Sequence, residues 1–502
     1  MEIIRNFPLF TIVLSLFSGV LCFMLKGKAA RAYTIIYEMF LIVLLSCVLY
    51  YVVSTGDSFT YTMGEFSAPW GNEIRAGVLE ALTAVFFMIV MICSVAAGAR
   101  FIDVDMDESK VNLYYALVNL MTAALMAIIW TNDIFTGYVF LEIMTLTSCG
   151  IMIVREIGRT TLAAVRYMIL NLLGSGLFLL GVVLLYDITG NLLMIPMQEV
   201  IAQYATDPQF MRILILSMGI LTIGLAIKSG LFPFHYWMPD TYGYSTPSSA
   251  AILSSLVSKA YIFLLFKIYY RVIGITVFET MPIRNVLLVL GICGMVMGSV
   301  SAIRENNLNR MVAFSSAAQI GYIYMGIGVG GVAGYTAAIF HIFAHSVTKS
   351  LLFLTTPRLA ETNKEKSLIF RNLQGSALRD PEAGIFFTMG AFSMIGIPIF
   401  AGFSSKLLFA IAAVESGHTV KMYMMILALA ISSVLNVMYF LRTVFRIYSQ
   451  PKKGPRVDKA AKVKHHLGYR LSMLVLMLAN LLLGLVSGVV VTLITSGLSM
   501  FG

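Results

Sequence analysis

Long apolar runs follow one another along nearly the whole chain, near 8–25, 32–53, 77–101, 112–130, 133–153, 161–186, 213–245, 247–271, 283–302, 309–328, 332–356, 383–415, 421–448 and 470–497. An α-helix needs about 20 apolar residues to cross the hydrocarbon core of a bilayer. With no water there, each backbone donor and acceptor has to be satisfied inside its own segment, so runs of this length read as helices. The expectation is an all-α, polytopic membrane protein of about 14 transmembrane helices. The runs consume most of the 502 residues and leave no length for a separate soluble catalytic domain. Composition agrees, because 12% of the residues are charged, against about 25% in ordinary soluble domains. The first run ends at Lys26, Gly27 and Lys28 without a small-residue cleavage pattern and reads as a retained helix.

The net charge of +10 does not indicate nucleic acid, since the basic residues lie in loops between apolar runs. They cluster as Lys26, Lys28 and Arg31, as Arg155 and Arg159, and as Arg304 and Arg310. The densest stretch, Arg446 to Arg470, holds Lys452, Lys453, Arg456, Lys459, Lys462 and Lys464 against Asp458. Cytoplasmic loops carry such excess, which predicts an inner-membrane protein with both termini outside. Asp57, Glu65 and Glu73 in one loop, and Asp187, Glu199 and Asp207 in another, fall on the opposite side. Asp103, Asp105, Asp107 and Glu108 run against the pattern, but acidic residues weigh little in the rule. The basic loop is also expected to meet anionic lipid, and 187–210 to form an amphipathic interfacial piece. Cys22, Cys47, Cys93, Cys149 and Cys293 lie singly in apolar runs, so no cofactor or metal is expected from them.

Ionisable side chains near the centre of a span cost at least ~2.5–3.5 kcal/mol to insert and mark pathways. Glu142, Lys228, Lys259 and Lys349 each have apolar residues on both sides, and Lys406 follows a helix break. His341, His345 and Lys349 are spaced by four, which stacks them on one helical face. Two histidines without an acidic or sulfur partner do not make a metal site. Lys267 and Arg166 read as side chains that snorkel to the headgroups, and Glu38 and Glu80 as residues near the interface. Gly230 and Pro233 interrupt one span just after Lys228, and Gly396, Pro398 and Gly402 interrupt another before Lys406. Broken helices in corresponding places of two halves point to an inverted-repeat transporter with its site near the midplane.

These residues can relay charge. Burial disfavours the charged form of an amine or a carboxyl group, and an adjacent pair of opposite sign restores both. Histidine, which titrates near neutrality, suits a place between lysines.

At these positions the chain resembles the antiporter-like membrane subunits shared by respiratory complex I, membrane-bound hydrogenases and Mrp-type cation/proton antiporters. The resemblance is carried by Phe140-Leu-Glu142 and by Ile227-Lys228 through Phe232-Pro233-Phe-His235-Tyr-Trp237-Met-Pro239-Asp240. It continues in Thr246-Pro247-Ser with Lys259, and in Arg304-Glu305-Asn-Asn-Leu-Asn-Arg310 leading to Ser315-Ser316. His345 to Phe353 and Gly402-Phe-Ser404-Ser-Lys406 complete it. Among the Mrp antiporter subunits, the run from Arg166 to Phe178, followed by Leu185 to Met194, most resembles the D-type one. The resemblance implies two inverted five-helix repeats, placed at 111–275 and 276–450, after an N-terminal three-helix segment 1–110 and before the basic loop and last helix at 451–502. It implies a gating pair Glu142 and Lys228, a relay of Lys259, His345 and Lys349, and an exit-side Lys406. Arg166, His235, Asp240 and His341 are secondary candidates. Other integral membrane subunits would be the partners, with protons and sodium or another monovalent cation as cargo. A membrane subunit of a redox-driven pump is the alternative reading. A stand-alone solute transporter fits less well, since it would show a mixed polar and aromatic pocket and not an axial series of lysines.

Overall fold

The computed structural model describes residues 2–66, 71–363, 365–450 and 466–501; Lys452, Lys453, Arg456, Asp458, Lys459, Lys462 and Lys464 of the basic loop lie outside them. Among the described residues, 13 helices are long and apolar enough to cross a membrane. A fourteenth crossing is missed by length alone because it is broken into Pro381–Ile395 and Ala401–Glu415. The protein is a polytopic all-α membrane protein, with one small addition. Phe59–Thr62 and Glu73–Ala76 pair as an antiparallel hairpin, in a loop where strands four residues long leave no readable period.

The hairpin gathers both chain ends. Glu2–Asn6 packs against its first strand, and Arg75 of its second donates to the Met500 carbonyl at 2.8 Å. Both ends therefore lie at one end of the bundle, as an even number of crossings requires. At the other end the acidic run that opposed the charge pattern is neutralised by the basic loops. Asp103 pairs with Arg31 at 2.5 Å and Asp105 with Arg155 at 3.2 Å.

Burial divides the helices into lipid-facing and central. The stretches Pro247–Val272 and Gly331–Glu361 are buried throughout their most apolar window. The second runs past 356, where the apolar run ends, and continues through Pro357. Proline supplies no donor for the carbonyl four residues back, but the Thr356 hydroxyl donates to Phe353 O at 3.2 Å in its place. The 187–210 segment contains the helix Met194–Tyr204, with Met194, Met197 and Ile201 buried on one face.

Two expectations, for Lys267 and Glu38, fail for one reason. Lys267 does not snorkel: it is fully buried, and its Nζ donates to the carbonyls of Ile128, Ile129 and Thr131 at 3.2, 2.5 and 2.6 Å. Those are free acceptors at the end of the neighbouring helix Val111–Trp130, where a cation is favoured. Glu80 is buried and paired with Arg271, also buried. Glu38 is buried, and among the described residues neither of its oxygens has a hydrogen-bond partner. Hydropathy alone cannot separate a helix that faces lipid from one surrounded by protein. Lys267→Ala is expected to destabilise the protein by about 2 kcal/mol, because it orphans buried acceptors. An unchanged thermal midpoint of the purified protein would refute that.

Candidate functional site

The first break is a glycine-capped helix end. Pro208–Ser229 stops at Gly230, which takes φ 78°, a conformation costly for any residue with a Cβ. Gly230 N and Leu231 N both donate to Ala226 O, at 3.0 and 2.9 Å. Trp237 Nε1 covers the freed Ile227 carbonyl at 3.2 Å. The second break repeats this arrangement: Gly396 has φ 92°, and Gly396 N and Ile397 N both reach Phe392 O at 3.0 Å. The helix resumes at Ala401, so Gly402 is helical and the interruption is confined to 396–400. Here the freed Ile395 carbonyl accepts from Lys406 Nζ at 2.6 Å. Each break thus sets a lysine beside the helix end it creates, Lys228 buried just before Gly230 and Lys406 half-buried against the carbonyl that precedes Gly396.

Lys228 is fully buried and stands 3.8 Å from Glu142, which keeps 21% of its side chain exposed. Nζ of Lys228 donates to Thr145 Oγ1 at 2.7 Å, and Thr145 Oγ1 lies 3.2 Å from the Tyr261 hydroxyl. Tyr261 carries the row onto the central helix two residues from Lys259. Gly174 and Gly224 bring the helix Gly158–Thr189 close against the helix that carries Lys228, since a Cβ on Gly224 would meet Gly174 O at 2.6 Å.

Lys259 donates to the Ser254 carbonyl and to Ser258 Oγ, the latter at 3.2 Å. Residues 253–257 form one wide, π-helical turn, a distortion that recurs at functional sites. Ser254 Oγ lies 3.0 Å from Ser316 Oγ. The neighbouring Ser315 accepts from Lys349, which also donates to Val312 O at 2.8 Å. Three serines, Ser254, Ser316 and Ser315, therefore lie between the two lysines.

From Lys349 the row turns along its own helix to His345 and His341, whose rings stack at 5.9 Å. His341 Nδ1 lies 2.7 Å from Ser405 Oγ, beside Lys406. Lys406 also reaches Ser433 Oγ at 3.1 Å. His345, Gln319 and His341 line a cavity of about 10 Å³ with Lys406, room for about one water. Among the described residues, both His345 nitrogens, His341 Nε2 and Gln319 Nε2 have no hydrogen-bond partner, and buried polar atoms of this kind are commonly satisfied by ordered water.

The remaining candidates sit apart from this line. Asp240 binds Arg166 at 3.0 Å and also Arg310, which reaches Glu305 at 2.9 Å. Arg166 is 58% exposed, so this network reaches the protein surface. His235 is buried, stacked on Tyr236 at 4.7 Å. Sequence alone assigns no role to Thr145, Tyr261, Ser254, Ser316, Ser315 and Ser405. Hydroxyls are ordinary in membrane helices, and only their placement beside the ionisable groups is a signal.

Broken helices that bracket a buried row of lysines define an antiporter-like membrane subunit. A family model described as NADH:quinone oxidoreductase/Mrp antiporter, TM, matches residues 131–436. NADH-quinone oxidoreductase subunit N of Desulforudis audaxviator is 32% identical over 414 residues, 80% of this chain and 78% of that protein. A Staphylococcus aureus protein named for antiporter subunit mnhD2 is 26% identical over 443 residues, 88% of this chain and 85% of its own. A chain in the structure of the Mrp complex from Dietzia sp. DQ12-45-1b shares the fold, with TM-score 0.86 and 22% identity over 99% of this chain and 97% of that one. The chain belongs to the NADH:quinone oxidoreductase/Mrp antiporter transmembrane family.

Proposed function

We propose that this protein carries protons along Glu142, Lys228, Lys259, Lys349, His345, His341 and Lys406, inside a complex of several membrane subunits. The observation that carries the reading is the pattern of burial. The interior members of the row are closed off, whereas Glu142 and Lys406 at its two ends keep partial exposure. A row with surface only at its ends passes charge between neighbours and not to lipid, which supports other integral membrane subunits as partners. The carboxylate of Glu142 holds the Lys228 ammonium. When Glu142 turns to a partner's cation, Lys228 loses that support and its proton passes by way of Thr145 and Tyr261 to Lys259.

The matching glycine caps at Gly230 and Gly396 support a division into repeats at 111–275 and 276–450, with 1–110 and 451–502 outside them. The basic end is assigned to the cytoplasm, which puts both termini outside the cell membrane, and the basic loop is assigned to anionic lipid. Exchange of protons for sodium or another monovalent cation is the preferred coupling. The higher identity to a subunit N protein supports a redox-driven alternative. The deciding experiment is native purification in mild detergent with mass spectrometry of the copurifying chains. Small hydrophobic subunits alone are the expected result. Iron–sulfur or hydrogenase subunits would establish the redox-driven version, and a transport-competent monomer would overturn both.

A further inference from the structure

Glu38 is an ionisable group that the row does not use. It is the twelfth residue of the 29-residue helix Gly27–Thr55, which places it about 17 Å from the helix start at 1.5 Å per residue. That depth is close to the membrane centre. Among the other buried carboxylates outside the row, Glu80 has Arg271 as its counter-ion, and Asp133 and Asp380 accept from the backbone at helix starts, so structural roles account for them. Among the described residues no cation pairs with Glu38, and neither of its oxygens has a hydrogen-bond partner. Its surroundings are Cys22, Tyr37, Cys93, Tyr114 and Tyr115, all within electrostatic range.

A short ladder of hydroxyls lies between the third membrane helix, Val78–Asp105, and the row. Ser94, next to Cys93, lies 3.1 Å from Ser350 Oγ, and Ser350 donates to Ser255 Oγ at 2.9 Å. Ser350 adjoins Lys349, and Ser255 adjoins Ser254, the acceptor of Lys259. Ser248 Oγ donates to Ser94 O at 2.9 Å. Its neighbour Ser249 reaches the Tyr114 hydroxyl at 3.4 Å. Ser94 and Ser350 come from helices far apart in sequence, and both hydroxyls are buried.

We infer that Glu38 is a proton-exchanging site at the end of a side branch, joined through Cys93, Tyr114, Ser94, Ser350 and Ser255 to Lys349 and Lys259. The inference rests on the axial row proposed above. Along the branch each hydroxyl passes its proton to the next oxygen and takes one from the last. Each member of the ladder keeps its proton count while its hydrogen bond is reversed, and one proton moves between the Glu38 carboxyl and the axial amine. The branch gives the row a contact with the three N-terminal helices.

The test measures proton flux with an internal pH dye in proteoliposomes holding the purified complex. Glu38→Gln keeps volume and polarity but cannot exchange a proton, and Glu38→Asp exchanges one with a shorter side chain. Glu38→Gln and Ser350→Ala should each slow flux by about tenfold, with Glu38→Asp close to wild type. A wild-type rate in Glu38→Gln, or Glu38→Asp worse than Glu38→Gln, would overturn the inference, since the second order is that of a packing residue. If Glu38→Gln fails to assemble, the infrared carboxyl band that responds to pH decides: it should shift in Glu38→Asp, and an unshifted band overturns the branch. Lys349→Ala separates the two readings. If it is inactive while Glu38→Gln is normal, only the branch falls; if it too is normal, the axial row falls.

Discussion

Lys228→Ala is expected to reduce proton flux by at least about 100-fold, the scale on which a positioned proton-transfer group acts, without loss of the assembled complex. The substitution removes the cation 3.8 Å from Glu142 and the donor to Thr145, so the row loses its first amine and its link to Tyr261. Assembly should survive because Glu142 is partly exposed and can be solvated or covered by a neighbour. Lys228→Arg sharpens the result. Arginine keeps the positive charge beside Glu142 but does not give up its proton in a protein. Flux should therefore remain low in Lys228→Arg even though the ion pair is kept. A mere electrostatic or packing role for Lys228 would be rescued by arginine. Substantial flux in Lys228→Arg would remove proton loss at this lysine from the mechanism, and substantial flux in Lys228→Ala would remove the gating pair.

The ionisable row was legible in the sequence because charge in the middle of an apolar run is conspicuous. Glu142, Lys228, Lys259, Lys349 and the two histidines are buried or half-buried in the bundle, and the breaks stand at Gly230 and Pro233 and at Gly396 and Pro398, whereas Gly402 is helical. What joins them was not legible. Ser254, Ser315 and Ser316 matter only through which helix faces which, and that depends on packing between segments far apart in sequence. Lys267 and Glu38 were misread because the rule for charges near helix ends assumes lipid on the outside. The helix Pro247–Val272 has protein on every side, so a lysine two turns past Lys259 meets backbone carbonyls and not headgroups.

The same buried end of that helix sets the largest expected effect on stability. Arg271 lies in its last turn and Glu80 in the first turn of Val78–Asp105, so each charge also faces the helix terminus that favours it. The guanidinium sits 4.4 Å over the Phe501 ring and donates through Nε to the Phe501 carbonyl at 2.7 Å. Lys267 and Arg75 are within electrostatic range of it. Glu80→Ala would leave these cations repelling one another without their central carboxylate. Breaking a buried pair from one side costs about 3–5 kcal/mol, which should appear as a large fall in the thermal midpoint of the purified protein. Removing both charges avoids the uncompensated cation, so Glu80→Leu with Arg271→Met should recover most of the loss. Proton flux per assembled molecule should then match wild type, because the pair holds the C-terminal residues against the hairpin and lies off the row. If the double variant stays as unstable as Glu80→Ala, the charge pair is not the source of the stability. If it is stable but transports no protons, Glu80 and Arg271 belong to the conducting path, and the row from Glu142 to Lys406 is incomplete at this end.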